Sequence, residues 1–253
     1  MSRYLETVNQ LLSEVLRARP DTLVYGENID KGSCLCGVAR GLPGRIVNVG
    51  NCENTHVGAG FGLLLNGINS VLIVKQLDFL LLGLDQIVNT WNLIRCAYKT
   101  GDLGSFTIVV IVCDQGWQGP QSSFNGFSNI CSLARIEGYT LNARAEAEEI
   151  LAEHLIRPGF RMIGLSQAAF GEEMVEAPAV NRSVDLGIFQ YSDGSDITVA
   201  ACNFTLGKAW ELERLLEQGG ARGRCVFCAS RAGSRLDPNS RARIAKPAAG
   251  CIR

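Results

Sequence analysis

Residues 70–113 read SVLIVKQLDFLLLGLDQIVNTWNLIRCAYKTGDLGSFTIVVIVC, and the order of patterns inside them decides the fold class. Ser70 to Val74 is a short apolar run of strand type, a helix is predicted from about Asp78 through Tyr98, and Phe106 to Cys113 is a further strand, apolar on both faces. A strand with two apolar faces must be covered on both sides. A helix between two such strands is the connection that lets them lie parallel in one sheet.

The same alternation extends outward in both directions. Upstream, Tyr4 to Arg17 carries Leu5, Val8, Leu11, Leu12, Val15 and Leu16 on one helical face, and Pro20 closes the helix. Thr22 to Tyr25 is a short buried strand that delivers Gly26-Glu27-Asn28 at its C-terminal end, where ligands of open α/β sheets sit. Ile46 to Val49 is another strand, followed by the glycine-rich segment Val57 to Gly67. Each glycine in a helix costs about 1 kcal/mol relative to alanine, so these glycines are expected to serve close packing against a neighbouring backbone. Downstream, Gly116 to Phe127 has the Gly, Pro, Ser and Asn density of a loop, Glu146 to Ile156 is a helix and Phe160 to Leu165 a strand. The fold class expected is α/β, a parallel sheet with helices on both faces, plus the start of a second, truncated α/β domain.

The domain reading is accordingly 1–170 for the first domain, 171–196 for a linker, 197–220 for the beginning of the second domain and 221–253 for a tail. Ile197 to Cys202 and Leu206 to Glu217 give that second domain a strand and a helix. The last 33 residues hold eight Arg or Lys against one acid, Asp237, and are expected to be disordered because so few large apolar side chains cannot offset the ordering entropy.

A net charge of −1 provides no global field for nucleic acid or an anionic membrane, and the most apolar stretch, Val71 to Leu84, is interrupted by Lys75, Gln76 and Asp78. Neither partner is expected. The first 25 residues lack the basic start and apolar centre of a secretory signal, so a cytoplasmic location is expected. The ten cysteines are scattered singly, and Cys34/Cys36 and Cys225/Cys228 have no matching second pair, so no metal site is expected.

Two stretches read together carry a family resemblance: Asn51-Cys52-Glu53-Asn54-Thr55-His56-Val57-Gly58-Ala59-Gly60, and Asp78-Phe79-Leu80-Leu81-Leu82-Gly83-Leu84-Asp85-Gln86-Ile87-Val88-Asn89. In order and spacing they resemble the pyrimidine-binding, transketolase-like family of thiamine-diphosphate enzymes, and in particular the β subunits of 2-oxo-acid dehydrogenase E1 components. The series also takes in Asn9-Gln10, Gly26-Glu27-Asn28, Gly41-Leu42 and Arg135-Ile136-Glu137-Gly138, covering about residues 5–220.

The resemblance implies thiamine diphosphate as cofactor, with Glu53 as the activating carboxylate. A carboxyl hydrogen-bonded to N1′ of the aminopyrimidine shares a proton with the ring and favours the tautomer whose amino group removes the C2 proton. The alternative for Glu53 is a helix-start carboxylate favoured by the dipole. Phe79 lies where the resemblance puts a ring against the aminopyrimidine, the alternative being a core phenylalanine. Asp85, Gln86 and Asn89 are expected to hold subunit contacts or cap neighbouring backbone.

The chain departs from the family in the loop after the fourth strand, where many E1 β subunits carry a His-Ser pair. The matching stretch here is Gly119-Pro120-Gln121-Ser122-Ser123. Gln121 and Ser122, candidates for a substrate or partner loop, can hydrogen-bond but cannot exchange a proton near neutral pH, so the resemblance does not extend to histidine-assisted acylation of a lipoyl group. His56 either compensates for that missing base or is a structural histidine. A Gly-Asp-Gly followed by Asn-Asn, the family's diphosphate and Mg²⁺ pattern, is absent from these 253 residues. The resemblance therefore implies a diphosphate-binding α-type partner that holds Mg²⁺ and shares the cofactor, in a heterotetramer-like assembly. The function expected is that of a β-type subunit in 2-oxo-acid dehydrogenation or decarboxylation, or in two-carbon ketol transfer. The alternative is a non-catalytic or truncated homologue that assembles with or regulates such an enzyme.

Overall fold

The computed structural model describes residues 3–120, 122–183, 187–228 and 230–231. Helix α1 (Tyr4–Ala18) leads into β1 (Leu23–Gly26), β2 (Arg45–Asn48), α2 (Glu53–Leu65) and β3 (Ser70–Val74). A 3₁₀ segment (Leu77–Gly83) and a π turn (Gln86–Thr90) then precede α3 (Trp91–Ala97) and β4 (Ser105–Val112). The first unit closes with α4 (Phe127–Ala134), β5 (Glu137–Thr140), α5 (Arg144–His154) and β6 (Gly159–Ser166). These six strands are mutually parallel in the order β5-β6-β4-β3-β1-β2.

Every residue of β3, β4 and β6 is buried, as the two-sided apolar runs require. One face packs on α1 and α5 through Val8, Leu12, Ile150 and Leu151. The other packs on the remaining helices through Phe61, Trp91 and Phe127. The second face is aromatic at its centre: Phe61 meets Phe106 edge-on at 5.2 Å and Phe160 at 4.9 Å between ring centroids.

Three differences from the sequence reading have physical causes. The helix predicted from Asp78 through Tyr98 is broken into 3₁₀, π and α pieces. Gly83 sits so close to α2 that a Cβ there would lie 2.9 Å from Val57 Cγ2 and 3.3 Å from the Glu53 carbonyl oxygen, a closeness that only glycine permits. The expectation of helix glycines packing on backbone is also refined: a Cβ on Gly60 would strike the Phe106 ring at 2.3–2.6 Å, whereas nothing lies within 4 Å of one on Gly62.

The third difference concerns the stretch read as a linker. Residues 171–196 contain β7 (Asn181–Ser183) and β8 (Ile188–Gln190), which join β9 (Ile197–Cys202) and β10 (Gly223–Cys228) in a second sheet of order β7-β8-β10-β9, with α6 (Leu206–Gln218) between β9 and β10. The basic tail likewise begins with β10 and with β11 (Ser230–Arg231), which pairs antiparallel with β5. Arg and Lys dominate the tail's composition, but Cys225 and Val226 are buried, and parallel pairing with β9 satisfies the β10 backbone. Residues 232–253, the rest of the expected tail, lie outside the described residues.

Among the described residues no helix is long and apolar enough to cross a membrane, and no group of three or more His, Cys, Asp or Glu is placed to hold a metal ion.

Candidate functional site

The carboxyl ends of β1 and β3 and the first turn of α2 meet at one cleft. Gly26 closes β1 against its neighbour: a Cβ there would lie 2.3 Å from the Ile73 carbonyl oxygen, so the glycine lets the two strands end side by side. Glu27 follows at once. Its position is held by the Val49 amide donating to the Gly26 carbonyl at 3.0 Å and by the Ile29 amide donating to Asn48 Oδ1 at 2.9 Å.

Helix α2 brings in Glu53 and His56, one turn apart. The buried Tyr25 hydroxyl on β1 donates to the His56 carbonyl at 2.8 Å and ties that turn to the sheet. His56 is itself 9% exposed, and its Nδ1 lies 4.0 Å from Glu27 Oε1, a buried oxygen with no hydrogen-bond partner. Burial raises the Glu27 carboxyl above its ordinary range, the Glu53 charge raises it further, and His56 opposes both. The fourth wall is the 3₁₀ segment after β3, where half-buried Phe79 packs on the aromatic core and lines the cleft beside Leu80.

The cleft so formed has a volume of about 20 Å³, bounded by Glu27, Glu53, His56, Lys75 and Phe79. That is room for about one water molecule, so on this chain it is one wall of a binding site and not an enclosed pocket for a ring. Chemically it offers two adjacent carboxyls, one of them with raised proton affinity, an imidazole and an aromatic face.

Glu53, His56 and Phe79 are therefore brought together. Ser122 stands apart from the cleft wall, its hydroxyl donating to Gln76 Oε1 at 3.5 Å, next to Lys75. Gln121 lies outside the described residues. In the π turn, Asn89 donates to Asp85 at 2.7 Å and Thr90 to Gln86 at 2.6 Å, so these polar side chains bind one another along the turn. Sequence reading put Glu27 at a strand end where ligands sit but did not name it, or Lys75, as a site residue. The available signal was its position directly after a buried strand.

No family model matches the chain. Among curated relatives, the chloroplastic pyruvate dehydrogenase E1 component subunit beta-2 of Arabidopsis thaliana is 30% identical over 82% of this chain and 55% of its own length. The mitochondrial 2-oxoisovalerate dehydrogenase subunit beta 2 of the same plant is 25% identical, over 76% of this chain and 55% of its own. Solved structures give the same answer for the fold. A transketolase from Campylobacter jejuni superposes with a TM-score of 0.75 at 12% identity, over 96% of this chain and 38% of that one. A split-gene transketolase described as an inactive beta4 tetramer superposes with a TM-score of 0.62 at 20% identity, over 89% of this chain and 70% of that one. The chain is similar in sequence to E1 β subunits of 2-oxo-acid dehydrogenases and has the fold of the transketolases.

The chain spans about half the length of the curated relatives it matches. The relatives are chloroplastic and mitochondrial proteins, which lends no support to the cytoplasmic location expected from the first 25 residues.

Proposed function

We propose that the chain supplies the pyrimidine side of a thiamine-diphosphate site, as the β-type subunit of a 2-oxo-acid dehydrogenase or decarboxylase or of an enzyme of two-carbon ketol transfer. The observation that carries the reading is the convergence of Glu53, Glu27 and His56 on a cleft walled by Phe79. These donors fit the aminopyrimidine end of the cofactor: a carboxyl at the start of a helix to hold a proton at N1′, and an aromatic face to stack on the ring. When bound, thiamine diphosphate supplies a nucleophilic carbon for attack on the carbonyl of a 2-oxo acid or ketose.

Glu53 in this reading holds and shares the N1′ proton. Glu27 stands beside it, its carboxyl raised above the ordinary range by burial and by the Glu53 charge, so that the two carboxyls oppose each other's ionisation. Phe79 excludes water and fixes the plane of the ring. A cleft of about 20 Å³ needs a second chain to complete it, and the diphosphate and Mg²⁺ are assigned to an α-type partner in a heterotetramer-like assembly. A second reading, a non-catalytic homologue that assembles with such an enzyme, is favoured by Gln121-Ser122 in the loop where many E1 β subunits carry a His-Ser pair.

Calorimetry of thiamine diphosphate with Mg²⁺, on the chain alone and mixed with an α-type partner, tests both. Binding and donor turnover only in the mixture, with turnover lost in Glu53→Gln, support the catalytic reading. Binding by the mixture that is indifferent to Glu53→Gln supports the non-catalytic one.

A further inference from the structure

The two sheets have four edge strands among the described residues, and three of them are blunted against pairing with another chain. β2 (Arg45–Asn48), β7 (Asn181–Ser183) and β11 (Ser230–Arg231) are short, and each carries an arginine. β9 is the exception. It is six residues long, Ile197-Thr198-Val199-Ala200-Ala201-Cys202, has no charged residue and no proline, and keeps an unbroken register with β10. An uncharged strand edge of that length is a template for a further strand.

The backbone shows which groups of this edge are free. The Ile197 amide donates to the Arg222 carbonyl at 3.4 Å, so Ile197 directs its backbone groups towards β10. Direction alternates along a strand; Val199 and Ala201 therefore also bond to β10, while Thr198, Ala200 and Cys202 point away from it. Cys202 is occupied by the turn into α6: its amide donates to Thr205 Oγ1 at 3.1 Å and its carbonyl accepts from the Thr205 amide at 3.3 Å. The outward N–H and C=O of Thr198 and Ala200 have no partner among the described residues, and both residues are exposed.

We infer that β9 pairs antiparallel with β9 of a second copy of this chain, joining the two second sheets into one across a twofold axis. With Val199 on the axis, Thr198 lies opposite the copy's Ala200, and each such pair exchanges both of its N–H···O=C bonds, using the free groups and no others. Ile197, 43% exposed, comes opposite the copy's Ala201, and Asp196 opposite its Cys202, so no like charges meet. A second copy is the occupant because the same uncharged edge serves both sides, as a closed twofold contact requires. The contact shares no residue with the Glu53 cleft and does not rest on the thiamine-diphosphate reading.

Sedimentation equilibrium of the full chain tests it, and a dimer that dissociates on dilution is expected. Ala200→Pro removes an outward N–H and no bond to β10, a place where an edge strand accepts proline, so it should keep the fold and lose the dimer. Thr198→Lys with Ala200→Lys sets lysines opposite each other and should also give a monomer. Thr198→Lys with Ala200→Glu sets lysine opposite glutamate and should keep the dimer, which decides the matter if Ala200→Pro fails to fold. Both double variants lose the bond from Arg224 to Thr198 Oγ1, so the difference between them reads the pairing alone. The inference is overturned if the parent is a monomer at every concentration, if the folded Ala200→Pro or double-lysine variant stays dimeric, or if the lysine-glutamate variant is monomeric. Protection of the Thr198 and Ala200 amides from exchange only on adding a different protein would equally overturn it, since the edge would then belong to that partner.

Discussion

The hydroxyl of Tyr25, at the penultimate position of β1, donates to the carbonyl of His56 in the first turn of α2 across 2.8 Å. This one bond couples the sheet to the turn that presents Glu53 and His56. Tyr25→Phe keeps the buried ring and removes the bond, so it should cost about 1 kcal/mol of stability. Denaturant unfolding measures the loss. In the reconstituted assembly the same variant should weaken cofactor binding; unchanged binding with lowered stability would mean the turn is held without it.

Helix α2 offers a paired test of glycine at two positions two residues apart. Gly60→Ala forces a methyl into the Phe106 ring, 2.3–2.6 Å away, and should destabilise by about 1–3 kcal/mol. Gly62→Ala meets open space and should stabilise by up to about 1 kcal/mol, the helix-propensity difference. Thermal unfolding of the two variants should move in opposite directions.

Glu146 gives the fold a pH dependence. The side chain is fully buried, accepts from the Asn142 and Ala143 amides at 2.6 and 2.8 Å, and accepts from the Tyr191 hydroxyl. Burial pushes its carboxyl up to about 7, against which these hydrogen bonds act. Because the folded value lies above the unfolded one, the folded state favours the protonated form. The resulting stabilisation is complete below about pH 4.5, falls as pH rises towards 7 and is gone above it; at most it amounts to roughly 3 kcal/mol. Glu146→Gln should remove this slope. Urea midpoints from pH 5 to 8 in the two proteins check it, and parallel curves would contradict the assignment.

Arg161, 3% exposed, uses its guanidinium to tie the end of α5 to β4. It donates to the carbonyls of His154 at 3.1 Å and Pro158 at 2.8 Å, to that of Arg157, and to the hydroxyls of Ser105 at 3.1 Å and Thr107 at 3.2 Å. Burial lowers its pKa to about 10, which leaves it charged at neutral pH. Arg161→Met strands several buried acceptors and should destabilise by about 3–5 kcal/mol. Faster amide exchange around residues 154–160 should accompany the loss.

How far the sequence could be read depended on where each signal was stored. The strands β3, β4 and β6 carry theirs locally, since a run such as Thr107 to Val112 is apolar on both faces and has no other soluble conformation so economical in buried surface. Strands β7, β8 and β10 do not. They are short and partly polar, and each becomes a strand because a neighbour supplies its hydrogen bonds: Phe189 lies opposite both Arg182 and Phe227, and Cys225 opposite Val199. Composition averaged over the last 33 residues concealed the buried pair Cys225 and Val226 for the same reason.

The sequence by itself determined the parallel α/β class and, in the first unit, the strands β1 to β4 and β6, while α4 and β5 went unread. Those properties follow from periodicity and from residue order, which the chain carries along its length; the joining of Glu53 and Phe79 in one site was an expectation of the family resemblance. Tertiary structure alone decided that Glu27, 26 positions before Glu53 in the chain, completes the cleft beside His56, that Gly83 packs directly on α2, and that Asp78 is buried. Each of these depends on distances between segments remote in sequence, and such distances are fixed only when the sheet brings strand ends side by side.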